Sequence, residues 1–140
     1  MSSELGGGRR ILVVDASERE RRDTARILGE AGYTVDAAGS KAEVVTLLSQ
    51  RSYDLVLSDL KMRELHGPAF YQLLKECCRT VPPVIFRIER GYTPEYANFL
   101  MRLAAPVLTK PVAAAELCVA VERQLPSSPT PPRAASSLVS

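Results

Sequence analysis

Residues 52–62 read SYDLVLSDLKM. The core of this run, Leu55, Val56 and Leu57, has no polar alternation, as in a strand buried on both faces of a parallel sheet. It nevertheless ends on a carboxylate, Asp59, with Lys61 and Arg63 close behind. In open α/β sheets, ligands gather outside the carboxyl ends of the strands, where the strand order reverses. A buried strand ending in an acid therefore raises the question of what else reaches the same rim.

Working outward, the chain alternates short apolar runs with segments of helical period. Residues 10–15, RILVVD, read as a central strand that also ends in an acid, Asp15. Residues 18–31 place Thr24, Ile27, Leu28 and Ala31 at helical spacing, and Gly32 closes that helix. YTVDAA at 33–38 is a second strand. Ser40 is placed to N-cap a helix through residue 51 that buries Ala42, Val45 and Leu48, with Val44 and Leu47 widening the stripe. After the 55–59 strand, Pro68 marks a helix start and Phe70, Leu73, Leu74 and Cys77 share one face. PVIFRI at 83–88 is the fourth strand, followed by a helix over about 94–102, the strand PVLT at 106–109 and a last helix over about 113–125. The expected fold is α/β: a doubly wound, five-stranded parallel sheet of five β/α units with right-handed crossovers. Residues 1–8, rich in Ser and Gly, are expected to be a flexible N-terminal segment, 9–125 the domain, and 126–140 a disordered Pro/Ser-rich tail.

Composition bounds what this domain does. With 140 residues and 46% hydrophobic content the chain suits one buried domain. A formal charge of +2 falls far short of the basic field that phosphate backbones demand, so no nucleic-acid partner is expected. No apolar run reaches membrane-spanning length and MSSELGGGRR lacks a signal peptide's apolar centre, so the expectation is no membrane and a cytoplasmic location. Cys77, Cys78 and Cys118 fit no metal spacing and read as reduced packing residues, and His66 is the single histidine.

In this sheet Asp15, Asp59, Glu89 and Lys110 all follow strand ends and should converge on one rim. A carboxylate is a competent nucleophile toward phosphorus, and the resulting acyl phosphate concentrates negative charge that a cation must neutralise. Lys110, followed by Pro111, is placed for that. A divalent cation would share the task, with Asp15 and Asp59 as candidate ligands. The competing reading is that strand-end acids cap the next turn and that a rim lysine is solvated.

ILVVD at 11–15, YDLVLSDLKM at 53–62, Gly67, PVIF at 83–86 and LTKP at 108–111 together resemble the receiver domain of two-component response regulators, of flavodoxin-like (βα)5 fold, over about residues 9–125. HGPAFYQLLKE and AAPVLTKP look especially like receivers at the C-terminus of hybrid sensor histidine kinases. The resemblance implies Asp59 as phosphoacceptor, Asp15 as a metal-site acid, Lys110 as the phosphoryl-pairing lysine, Mg2+ as cofactor, and a histidine kinase or phosphotransfer protein as partner.

Departures from the family pattern cluster at the site. The second acid after the first strand is Ala16, which removes a magnesium ligand and implies weak Mg2+ binding. The strand-end hydroxyl residue is Ile88, the aromatic three residues before the lysine is Val107, and Arg63 stands where Pro is common. The switch apparatus is thereby missing. Glu89 can pair with Lys110, serve as a substitute metal ligand, or face solvent beside Arg87 and Arg90. His66 stands alone in a loop, without the helical dimer of a kinase phosphodonor. Two functions follow: a phosphorelay receiver taking a phosphoryl group on Asp59, with impaired or atypical metal binding and switching, or a degenerate receiver acting as a phosphorylation-independent interaction module. The expected enzymatic capacity ends at self-phosphorylation and autodephosphorylation at Asp59. A cofactor-binding flavodoxin-like enzyme needs a Gly- or hydroxyl-rich phosphate loop, which DASERERRD is not. No output domain is expected after the last helix, so output should run through a partner. Tyr92, Tyr96, Met101, Cys118 and Val119 offer apolar groups for such a contact, or for a homodimer through residues 92–125.

Overall fold

The computed structural model describes residues 8–90 and 96–125. Five strands, β1 (Arg10–Val14), β2 (Thr34–Ala38), β3 (Leu55–Asp59), β4 (Val84–Ile88) and β5 (Val107–Thr109), pair in parallel in the order β2-β1-β3-β4-β5. The connecting helices are α1 (Glu18–Glu30), α2 (Lys41–Gln50), α3 (Gly67–Cys77), α4 (Ala97–Leu103) and α5 (Ala114–Gln124). The order reverses beside β1, which creates the expected crevice at its carboxyl end. Of the segments read as flexible, 1–7 and 126–140 lie outside the described residues, as does the expected start of the fourth helix at 94–95.

Period-two alternation sorts the strand side chains into two cores. Ile11, Val13, Leu55, Leu57 and Ile85 face α1 and α5 and meet Leu28, Leu117 and Val121. Leu12, Val14, Val56, Val84, Phe86 and Ile88 face the other three helices and meet Val44, Leu48, Phe70, Leu74 and Leu100.

The helix ends follow local chemistry. Ser17 caps α1 through Glu20 N–H at 3.2 Å. At the other end Gly32, at φ 100°, donates to the Gly29 carbonyl while Tyr33 N–H bonds the Leu28 carbonyl, a closure that needs the left-handed region open to glycine. Ser40 caps α2 through Glu43 N–H, and the Glu43 carboxylate accepts from Gly39 N–H at 2.6 Å.

Two expectations on helix faces are corrected. α2 buries Val44 and Leu48, whereas Ala42 and Val45 are exposed. Val44 and Leu48 are one turn apart and both meet the core of β1 and α3 with Leu47 packed beside them, so the expected Leu48, Val44 and Leu47 form the buried stripe and Ala42 and Val45 fall outside it. Cys77 is exposed at the end of α3 and is not a packing residue, while Cys78 and Cys118 are half-buried; all three are free thiols. Among the described residues no helix is long and apolar enough to cross a membrane.

Candidate functional site

The alternation that builds the core also aims the site. Ile11 and Val13 face α1, so Asp15 continues onto that side; Leu55 and Leu57 do the same for Asp59, and Ile85 for Arg87. Asp59 and Arg87 are register partners on β3 and β4. Lys110 follows β5, held where its N–H donates to the Ile88 carbonyl at 2.8 Å.

The structure brings the four expected residues together around Lys110. Its Nζ lies 3.5 Å from Asp15 Oδ2, 3.4 Å from Asp59 Oδ1 and 3.9 Å from Glu89 Oε2. Its shortest contact is to Glu20 Oε1, at 2.8 Å, from the first turn of α1. Burial pulls the Lys110 pKa down, but the Glu20 hydrogen bond and the charges of Asp59 and Asp15 outweigh it, and the net shift is upward. The ammonium is therefore firmly charged at neutral pH. Glu20 is held below its ordinary value, chiefly by the same hydrogen bond.

Asp15 is the most enclosed group, 1% exposed. Its Oδ1 accepts from Ser17 N–H at 2.9 Å, and its Oδ2 accepts from Arg87 Nη2 at 2.8 Å. Arg87 Nη1 donates to Thr24 Oγ1 at 2.7 Å, so the guanidinium is bracketed between α1 and the end of β1. Arg87 is itself buried, which corrects its assignment to a solvated, charge-alternating edge. Only Glu89 and Arg90 keep that edge exposed, and Glu89 combines an open carboxylate with a long contact to Lys110. Burial raises the Asp15 pKa, against the opposing pull of Ser17 N–H, Lys110 and Arg87. Above Asp15, Arg21 Nη1 donates to the carbonyls of Asp15 and Ala16 at 2.7 and 3.2 Å.

Ile88 and Val107 point the other way. Ile88 is a core residue with Phe86 and Leu100, and Val107 packs against the same cluster. His66 precedes α3 as its N-cap without a side-chain bond, its ring 6.2 Å from that of Tyr96. Of the expected contact surface, Met101 (77%) and Val119 (47%) are exposed, Tyr96 is half-buried against the core, Cys118 is half-buried, and Tyr92 lies outside the described residues. Arg87, Glu20 and Thr24 were missing from the sequence-based site. The parity of β4 carried the signal for Arg87, since counting two from buried Ile85 places it beside Asp59.

A doubly wound α/β module with two acids and a lysine on its carboxyl rim is the class that fold and site define. The response regulator receiver domain family matches residues 11–122, and the chain belongs to that family. It is 30% identical over 130 residues to the sensor kinase CckA of Brucella abortus, covering 89% of this chain, and 35% identical over 103 residues to the transcriptional regulatory protein GlrR of Escherichia coli, covering 72%. The matched portions are only 13% and 22% of those proteins. The chemotaxis protein CheY4 of Vibrio cholerae superposes with a TM-score of 0.73 at 23% identity, over 84% of this chain and 99% of CheY4, a likeness of fold. Receiver domains serve two-component signalling, are typically phosphoacceptor modules that are not catalysts, and interact with histidine kinases or phosphotransfer proteins.

Members of this family typically bind Mg2+. The residues here do not fit that ion. Both Asp15 oxygens are engaged, one by a guanidinium, Ala16 has no side-chain oxygen, Glu89 is directed to Lys110 from a largely solvated position, and of the two expected aspartate ligands only Asp59, with one oxygen 3.4 Å from Lys110, keeps an open oxygen. Among the described residues no group of three or more His, Cys, Asp or Glu side chains is arranged to hold a metal.

Proposed function

We propose that this receiver accepts a phosphoryl group on Asp59 from the phosphohistidine of a kinase or phosphotransfer protein, and that acceptance is weakly coupled to conformational output. The observation that carries it is the pairing of a partly open Asp59 carboxylate with a similarly half-buried, charged Lys110 at 3.4 Å. One carboxylate oxygen bonds to phosphorus as the P–N bond breaks, the bonding pair staying with the imidazole nitrogen. Lys110 neutralises charge on the phosphoryl oxygens, the contact that gains most as charge develops. Water later attacks phosphorus, returning inorganic phosphate and the free carboxylate, so turnover ends at self-phosphorylation and autodephosphorylation.

The weak coupling rests on Ile88 and Val107. A ligand shifts a conformational equilibrium only through contacts that differ between states. At these positions the chain offers hydrocarbon packed into or against the core, with neither a hydroxyl to follow the phosphoryl group nor a ring to rotate after it. The same packing supports a second reading, a phosphorylation-independent module that signals through a partner-facing surface or a homodimer near Met101 and Val119.

Incubation with acetyl phosphate, read on phosphate-affinity gels, tests the first reading. A shifted band in the wild type that is missing in Asp59→Asn is expected. No shift with acetyl phosphate or with any phosphohistidine donor would favour the second reading.

A further inference from the structure

The buried guanidinium is the feature that neither the fold nor the phosphoacceptor reading requires. An ionised Asp15 with 1% exposure needs a compensating charge close by, because an unpaired buried carboxylate is costly. In this chain the compensating charge is a side chain of the protein itself. Arg87 stands on β4, two strands away from β1 with β3 between them, a span of about 9–10 Å in sheet spacing. A long side chain bridges that distance and still donates to Asp15 at 2.8 Å.

Two further observations make this a built arrangement. Thr24, itself 4% exposed, accepts from the second terminal nitrogen at 2.7 Å and fixes the plane of the guanidinium. Arg21 lies over the carbonyls of Asp15 and Ala16, with its guanidinium in the space that a Cβ at Gly39 would enter. The β1–α1 loop is thus tied by one guanidinium at its buried carboxylate and by another at its backbone oxygens. Ala16 is consistent with this: a second acid there would add negative charge with both guanidinium groups already engaged.

We propose that Arg87 is the resident cation of this site, taking against Asp15 the place that a divalent ion holds in the family, so that anion chemistry at Asp59 and Lys110 runs without a metal. The part concerning anion chemistry rests on the phosphoacceptor reading; the part concerning the metal stands apart from it. Phosphoryl acceptance is then independent of Mg2+ and slow, because a single charge on Arg87 replaces the double charge of the ion.

The test is titration with Mn2+ alone, followed by its electron paramagnetic resonance signal, on the wild type, Ala16→Asp, Arg87→Met and the double variant. The wild type and Ala16→Asp are expected to leave Mn2+ free at millimolar concentration, and the double variant to bind at least tenfold more tightly than Ala16→Asp. Wild-type binding as tight as the double variant's overturns the proposal. Should the Arg87→Met proteins fail to fold, Ala16→Asp decides alone: tight binding with Arg87 still present overturns it, and continued absence of binding supports it. Labelling by acetyl phosphate is measured in parallel with Mg2+ and with EDTA. Rates equal within twofold are expected, and loss of labelling in EDTA contradicts the proposal. No labelling in either condition defeats the phosphoacceptor reading, while the Mn2+ titration still rules on Arg87.

Discussion

Asp15 and Asp59 end neighbouring strands on the same side of the sheet, yet their surroundings differ in kind. Asp15 is sealed, with an amide on one oxygen and a guanidinium and an ammonium on the other. Asp59 keeps 15% of its side chain open and has Lys110 as its cation among the described residues. A buried carboxylate with both oxygens engaged is a structural element; one with an open edge beside a single cation is available for chemistry. The two corners share Lys110, which is why both acids are needed to describe either.

Substitutions at the two acids separate the corners. Asp59→Asn is expected to abolish labelling entirely while changing stability by less than about 1 kcal/mol, as for a partly exposed position outside the core. Arg87→Met acts at the other corner. Removing one partner of a buried pair costs about 3–5 kcal/mol, and the double variant Asp15→Asn with Arg87→Met recovers most of that, because no uncompensated charge remains. Urea denaturation of the four proteins of that cycle checks both statements; a loss under about 1 kcal/mol for Arg87→Met would place the pair among weak surface contacts.

Legibility from sequence divides along the same line. The five strands and the acids and lysine at their ends were readable, because apolar runs and the charges that terminate them are local patterns. Asp15, Asp59 and Lys110 met where the topology placed them. The burial of Arg87 was not read, since the run Arg87, Ile88, Glu89 and Arg90 has the composition of a wet edge, and only its phase relative to Ile85 separates an inward arginine from an outward one. Glu20 went unread for a related reason: its partner lies ninety residues away, after β5, and nothing local marks it. The slip between Val44 and Val45 on α2 shows the same limit, since two adjacent valines leave the helix phase to the neighbouring elements.

Two smaller effects refine the contrast. The folded-state pKa of Lys110 is raised, so its contribution to stability is fully present below the unfolded value of about 10.4 and is lost as pH rises through the folded value. Tyr53, raised by burial and by its 2.7 Å bond to Asp36, loses its contribution in the same alkaline direction. Stability is therefore expected to fall above about pH 10, and Lys110→Met should flatten only its own share, measured by urea midpoints at pH 9 and 11. Smallest is Val119→Glu, expected to alter stability by no more than about 0.5 kcal/mol. Sedimentation at high concentration then reports on self-association: a wild-type dimer that this variant dissolves supports a contact on α5, and a monomeric wild type removes the homodimer.

On this reading Asp59 receives a phosphoryl group that the rest of the domain barely registers. Amide NMR spectra of the wild type before and after treatment with acetyl phosphate test both halves at once. Shifts confined to the ends of β1, β3 and β5, around residues 13–17, 57–61 and 108–112, are expected. An unchanged spectrum would contradict acceptance, and shifts spread through α4 and α5 would contradict weak coupling.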